Sequence, residues 1–108
     1  MISLLMALAI ASGPYPATCS LNDAPAETCL VATKVENETA VIGVGFPSFG
    51  GRMIIAGRVT GSNTFAVDAV KVDDAYSDNV RGQCLVQSKR VRCNIVLRDG
   101  QAYILTVE

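Results

Sequence analysis

The residues with the clearest chemistry are four cysteines, Cys19, Cys29, Cys84 and Cys93. They form two local pairs, ten and nine positions apart. No CxxC spacing is present, so the common zinc ribbons and fingers and the redox-active dithiol motif all lack their ligands. An even cysteine count in so short a chain reads instead as two structural disulfides. The sequence contains no histidine. That removes the commonest general base and zinc ligand, and no Ser–His–Asp triad can be assembled. Carboxylates, lysine and arginine remain as conceivable catalysts. A domain of this size has little room for a substrate cleft, so no catalytic residue is assigned and no cofactor or metal is expected.

Other clusters invite a binding reading. Lys89, Arg90, Arg92, Asn94 and Arg98 recur on alternate positions or at the ends of one segment, which puts a basic strip on one strand face. Such a strip suits an acidic protein, a polyanion or lipid headgroups. The plainer reading is a solvated face that discourages edge pairing. Glu108 is expected close enough to Arg90 to neutralise it. Phe46 and Phe49 flank Pro47 and Ser48 in a loop, where they either dock a partner or tuck under the sheet; burial is the expected outcome. The stretch Val72 to Asn79 carries Asp73, Asp74 and Asp78, oxygen donors of the kind calcium takes, but its spacing fits no EF-hand loop. Gly43 to Gly51 is glycine-rich without GxGxxG or a Walker lysine. Asn37-Glu38-Thr39 is a glycosylation sequon on an expected turn.

The elements that must hold these residues come from composition and periodicity. The chain has 108 residues, half of them apolar, with a net charge of −1. That is enough for one packed domain, and the charge balance does not favour nucleic acid. Met1 to Ala11 reads MISLLMALAIA. It is too short for a transmembrane helix and fits a secretory h-region ending at a small-residue cleavage site after Ala11. The expected organisation is therefore a signal peptide over 1–11 and a single β domain over 12–108, with no transmembrane segment after cleavage. Pro16-Ala17-Thr18 before Cys19 is a poor lipid-attachment context.

Beyond that segment, period-two alternation is interrupted by Gly, Pro, Asn and Asp clusters at regular intervals. Residues 17–27 read as a loop or short edge strand. Strands are expected over 29–35, 39–46, 52–60, 64–72, 80–87, 90–97 and 101–107. Ala40, Ile42, Val44 and Phe46 share the inward face of one of them, with Gly43 and Gly45 opposite, suggesting a bend, a bulge or close approach of another backbone there. In 64–72 the apolar parity slips from Phe65 and Val67 to Val70 and Val72, which predicts a bulge near Asp68-Ala69. Residues 73–79 read as a polar loop. The fold class is all-β, a small antiparallel sandwich or barrel of about seven strands.

Register arithmetic sharpens the disulfides. A turn at Ser88-Lys89 pairs Val86 with Val91 and sets Cys84 directly opposite Cys93, at a non-hydrogen-bonded pair where strands approach most closely. A three-residue loop, Arg98-Asp99-Gly100, pairs Ile95 with Tyr103, Cys93 with Leu105 and Val91 with Val107 in one nearly continuous apolar face. By elimination, Cys19 pairs with Cys29.

The segment CSLNDAPAETCLV (Cys19–Val31), followed by GGRMII (Gly50–Ile55), resembles short periplasmic proteins of bacteria. The resemblance covers about a third of the chain and implies a location and no functional residue. The SGSGARY-type loop of periplasmic lysozyme inhibitors is absent. The expected function is a non-enzymatic, periplasmic or secreted binding module for a protein or polyanion of the envelope. A self-assembling envelope protein is the alternative, and a small carboxylate-based enzyme the third reading.

Overall fold

The computed structural model describes residues 12–47 and 50–108. The expected signal segment and Phe49 lie outside them. The described strands are β1 (Ser12–Leu21), β2 (Glu27–Glu36), β3 (Thr39–Phe46), β4 (Gly51–Val59), β5 (Thr64–Val72), β6 (Ala75–Ser77), β7 (Val80–Gln87), β8 (Arg90–Leu97) and β9 (Ala102–Val107). Their order is β4-β3-β2-β1-β9-β8-β7-β5, and β4 pairs again with β5. Every neighbouring pair is antiparallel. The sheet therefore closes into an eight-stranded up-and-down barrel, which resolves the choice between sandwich and barrel. The short β6 pairs with Val70–Val72 on the edge of β5 that β7 uses at Thr64–Ala66.

Alternation fills the interior. Cys29 and Val31 in β2, Ala40, Ile42, Val44 and Phe46 in β3, and Met53 and Ile55 in β4 are buried, as are Val91, Cys93 and Ile95 in β8. No polar or charged side chain is buried among the described residues. Eight strands give a barrel just wide enough for side chains to fill, so the centre is a packed core. The outer wall carries charge within its strands, as at Lys34, Asp68 and Arg92. That is the reverse of a transmembrane barrel, with its apolar outer band and polar lumen.

Both disulfides form, and both lie in the core. Cys84 opposes Cys93 in the expected register, with a Cα–Cα distance of 4.1 Å. Cys19 and Cys29 join β1 to β2 diagonally, with Cα atoms 5.8 Å apart. All four cysteines have zero exposure. The β8–β9 register is also as expected, with Gly100 at φ 90° closing the loop. In β5 the bulge falls at Asp68, because Ala56 faces Ala69 while Gly57 faces Val67.

Three expectations change. Of residues 17–27, only 22–26 form a loop, and 17–21 are not an edge strand: β1 runs from Ser12 to Leu21 between β2 and β9. Pro14 and Pro16 hide it from a reading by alternation, since proline lacks the N–H that a central strand needs. Its pairing with β2 is irregular between Ser12 and Tyr15, where Pro14 falls. Second, 73–79 holds β6 after a tight turn, with Asp73 at φ 53° and its Oδ1 accepting a 3.0 Å hydrogen bond from the Arg52 N–H. Third, the close backbone approach is not at Gly43 and Gly45. A Cβ on either would find its nearest neighbour at 3.9 or 4.0 Å. Besides Gly13 in β1, the glycines crowded by a neighbouring backbone are Gly57, against the Ala66 carbonyl, and Gly82, against the Asn94 carbonyl. Both sit on inward rows, where a small barrel wall must bend most sharply.

The barrel seam is short. β1 and β9 pair at Cys19–Val107, Ser20–Thr106 and Leu21–Leu105. Reciprocal bonds between Thr18 and Glu108 extend it at one end, Thr18 N–H to Glu108 O at 2.9 Å and Glu108 N–H to Thr18 O at 2.8 Å. At the other end Asn22, at φ 57°, donates its N–H to Ile104 O at 2.7 Å and accepts from Ile104 N–H on Oδ1 at 2.8 Å.

Candidate functional site

The basic strip lies on the outer wall of β7, β8 and β9. The same alternation that buries Val91, Cys93 and Ile95 turns Arg90, Arg92, Asn94 and Val96 outward. Register then builds three cross-strand rows. Leu85, Arg92 and Thr106 form one; Gln83, Asn94 and Ile104 the next; Arg81, Val96 and Ala102 the third. Leu85, Val96 and Ile104 are among the most exposed large apolar residues, at 39%, 47% and 41%. The face thus has an amide and aliphatic centre around Asn94, with arginines beyond it in both directions along the strands.

Five of the nine cations, Arg81, Lys89, Arg90, Arg92 and Arg98, belong to β7, β8 and their loops. None of the five takes part in an ion pair among the described residues. The pairs that form, Lys34–Glu36 at 3.3 Å and Arg58–Asp68 at 3.1 Å, are elsewhere. Arg58 holds its proton more tightly because of its hydrogen bonds and attraction to Asp68. Glu108 shares a shallow end-of-barrel depression with Lys89 and Arg90 without forming the expected ion pair to Arg90. Lys89 has another partner: its Nζ sits 5.3 Å from the centre of the Tyr15 ring, a cation–π contact across the barrel end. Burial pushes the Tyr15 phenol above its usual pKa.

The structure brings some expected residues together and separates others. Arg90 and Arg92 share the face. Arg98 is in the β8–β9 loop at the far end, in a depression that also holds Asp78 and Asp99, so its surroundings are of mixed sign. Asp99 also shapes its loop, its Oδ1 accepting from Gln101 N–H at 2.9 Å. Phe46 points into the barrel at 5% exposure and offers no side chain to a partner. Asp73 is occupied in its turn, and no cluster of metal-ligand type occurs among the described residues. Asn37 is exposed in the β2–β3 turn, at φ 58°.

Arg81, Leu85, Val96 and Ile104 escaped the reading of the sequence as a site. The signal was available in the β7–β8 and β8–β9 registers already fixed by the cysteines, which set Arg81 beside Val96 and Ile104 beside Asn94. Attention to charge on one strand hid a patch that spans three. Comparison of the chain with protein-family models, with curated proteins and with solved structures finds no match.

Proposed function

We propose that this chain is a non-enzymatic binding module that uses the outer face of β7–β9 to hold an acidic macromolecule. One observation carries the reading: unpaired arginines are concentrated on an outer wall that also exposes Leu85, Val96 and Ile104. Two closed, buried disulfides indicate an oxidising compartment outside the cytoplasm. The finer placement, periplasmic or secreted after removal of 1–11, belongs to the same proposal. The partner is then a protein or polyanion of the envelope or exterior.

Self-assembly through strand edges is the weaker reading, because a closed sheet presents no long edge and β6 offers only three residues. A carboxylate enzyme has less support still, since the carboxylates of 73–79 divide between a turn and the segment after β6.

The test is capture from an envelope extract on immobilised protein, with Arg90→Ala/Arg92→Ala/Arg98→Ala as control, at an ionic strength of about 0.15 M. Loss of the captured partners from the triple variant is expected. A variant that keeps every partner reduces the strip to a solvated face. Light scattering that shows dimers in both proteins would favour self-assembly.

A further inference from the structure

We infer that the ligand of this face is an extended acidic polypeptide segment, with aliphatic side chains between carboxylates at its two ends. The inference rests on the proposed binding role of β7–β9 and names the chemistry that role takes.

Length comes first. Along β8, Arg90 and Val96 are six residues apart, about 20 Å at the rise of a strand. Arg81 lies beside Val96, so cations mark both ends of a strip of that length. An extended segment of about seven residues spans it. Composition comes next. Between Arg90 and Arg92 at one end and Arg81 at the other the wall is uncharged: Gln83, Asn94 and Ile104 form a cross-strand row, with Leu85 diagonal to Asn94 on β7 and Val96 two residues along β8. An apolar and amide centre inside a charged border is the pattern of a protein contact. A sulfated or phosphorylated polymer has an anion at every step and would leave the three exposed aliphatics in contact with nothing that gains from their burial.

A second copy of this chain does not fit the same face. A two-fold axis along β8 sets Arg92 on its own image. An axis across the strands through Asn94 sets Arg90 against the level of Arg98. Both oppose like charges, the first at mid-face with no carboxylate beside it, the second at the strand ends, where Asp78 and Asp99 lie by Arg98 and Glu108 by Arg90.

The experiment uses four probes on the full folded chain. Two are blocked peptides of about seven residues, each with two Glu at either end, one with a Leu-Val-Ile centre and one with Ser-Ser-Ser. The third is heparin, and the fourth is vesicles containing phosphatidylglycerol. Calorimetry or fluorescence anisotropy reads affinity. The aliphatic peptide is expected to bind at least about tenfold more tightly than the serine peptide, a difference of about 1.4 kcal/mol. Leu85→Ser/Ile104→Ser, both at half-exposed outer positions, should erase that ratio while leaving the melting curve in place. Arg90→Ala/Arg92→Ala should weaken both peptides. If heparin or vesicles bind as tightly as the aliphatic peptide, or the serine double variant keeps the ratio, the polypeptide inference is overturned while the binding face stands. If no probe binds at about millimolar concentration, or the arginine variant changes none of them, the binding face falls as well.

Discussion

Gly57→Ala tests the bend on which the barrel depends. Gly57 lies on the inward row of β4, opposite the Asp68 bulge of β5. A Cβ there would sit on the Ala66 carbonyl oxygen, with the Ala66 carbonyl carbon at 2.8 Å and the Phe65 ring at 2.9 Å. The first two atoms belong to the ladder backbone, and the Phe65 ring is buried at 1% exposure. None can swing aside as a flexible surface chain would. Overpacking of this kind costs about 3 kcal/mol, at the upper end of its usual range. For a domain near this size that lowers the melting temperature by about 12–20 °C. Gly43→Ala is the internal control. Its Cβ has ordinary contact distances, the nearest neighbour being Ala32 O at 3.9 Å. Replacing glycine there narrows the unfolded ensemble and should raise stability by about 0.5 kcal/mol. Thermal melts followed by near-ultraviolet circular dichroism, without reductant, read both. A Gly57→Ala melt within about 3 °C of the parent, or a Gly43→Ala loss as large as that of Gly57→Ala, would refute the assignment of the bend.

Each disulfide closes a short loop, with cysteine separations of 10 and 9. Cys84→Ala/Cys93→Ala should therefore cost about 2.7 kcal/mol of chain entropy in urea unfolding, and a loss under about 1 kcal/mol would mean that the unfolded chain already holds that hairpin. Asn22 seals the β1–β9 seam from a left-handed conformation. Asn22→Gly keeps the conformation and loses the side-chain acceptor, at about 1 kcal/mol. Asn22→Ala adds backbone strain of about 1–2 kcal/mol, so an alanine variant as stable as the glycine one would show that the seam does not need this geometry.

How much of this was legible depended on whether one face of a strand was buried. In β3, β5, β8 and β9, alternation named inward residues, and the parity slip in 64–72 placed a bulge near Asp68-Ala69, where it falls at Asp68. The Cys84–Cys93 register followed from counting outward from a turn, and Cys93–Leu105 from rejecting a loop that mixed the faces. Two features were not legible by those means. β1 contains Pro14, Pro16 and Gly13, residues that argue against a central strand, and its place beside β9 is a contact between the two ends of the described barrel. No local pattern reports a pairing between positions 19 and 107. The glycines failed for a related reason. Gly43 and Gly45 attract notice by their spacing, but what a glycine must avoid lies on the neighbouring strand, as the Ala66 carbonyl does for Gly57.

The division between the two faces of the wall also bears on function. In a closed barrel of this width, folding constrains the inward residue at every second position and leaves the outward one nearly free. Cys84 and Cys93 must meet in the core, and Val91 and Ile95 must pack beside them; Leu85, Arg92, Asn94 and Val96, their immediate chain neighbours, have no such duty. Nothing in the packing of β7–β9 calls for exposed aliphatics between arginines, and solubility alone would be served as well by mixed charges. The wall of β2–β5 also exposes aliphatics, Leu30 and Ile54, but there cations find carboxylates: Lys34 pairs with Glu36, and Arg58 with Asp68. The arginines of β7 and β8 have no such carboxylate partners. A surface that departs from what the fold asks of it, at positions where the fold asks almost nothing, is the ground for placing the proposed partner on β7–β9.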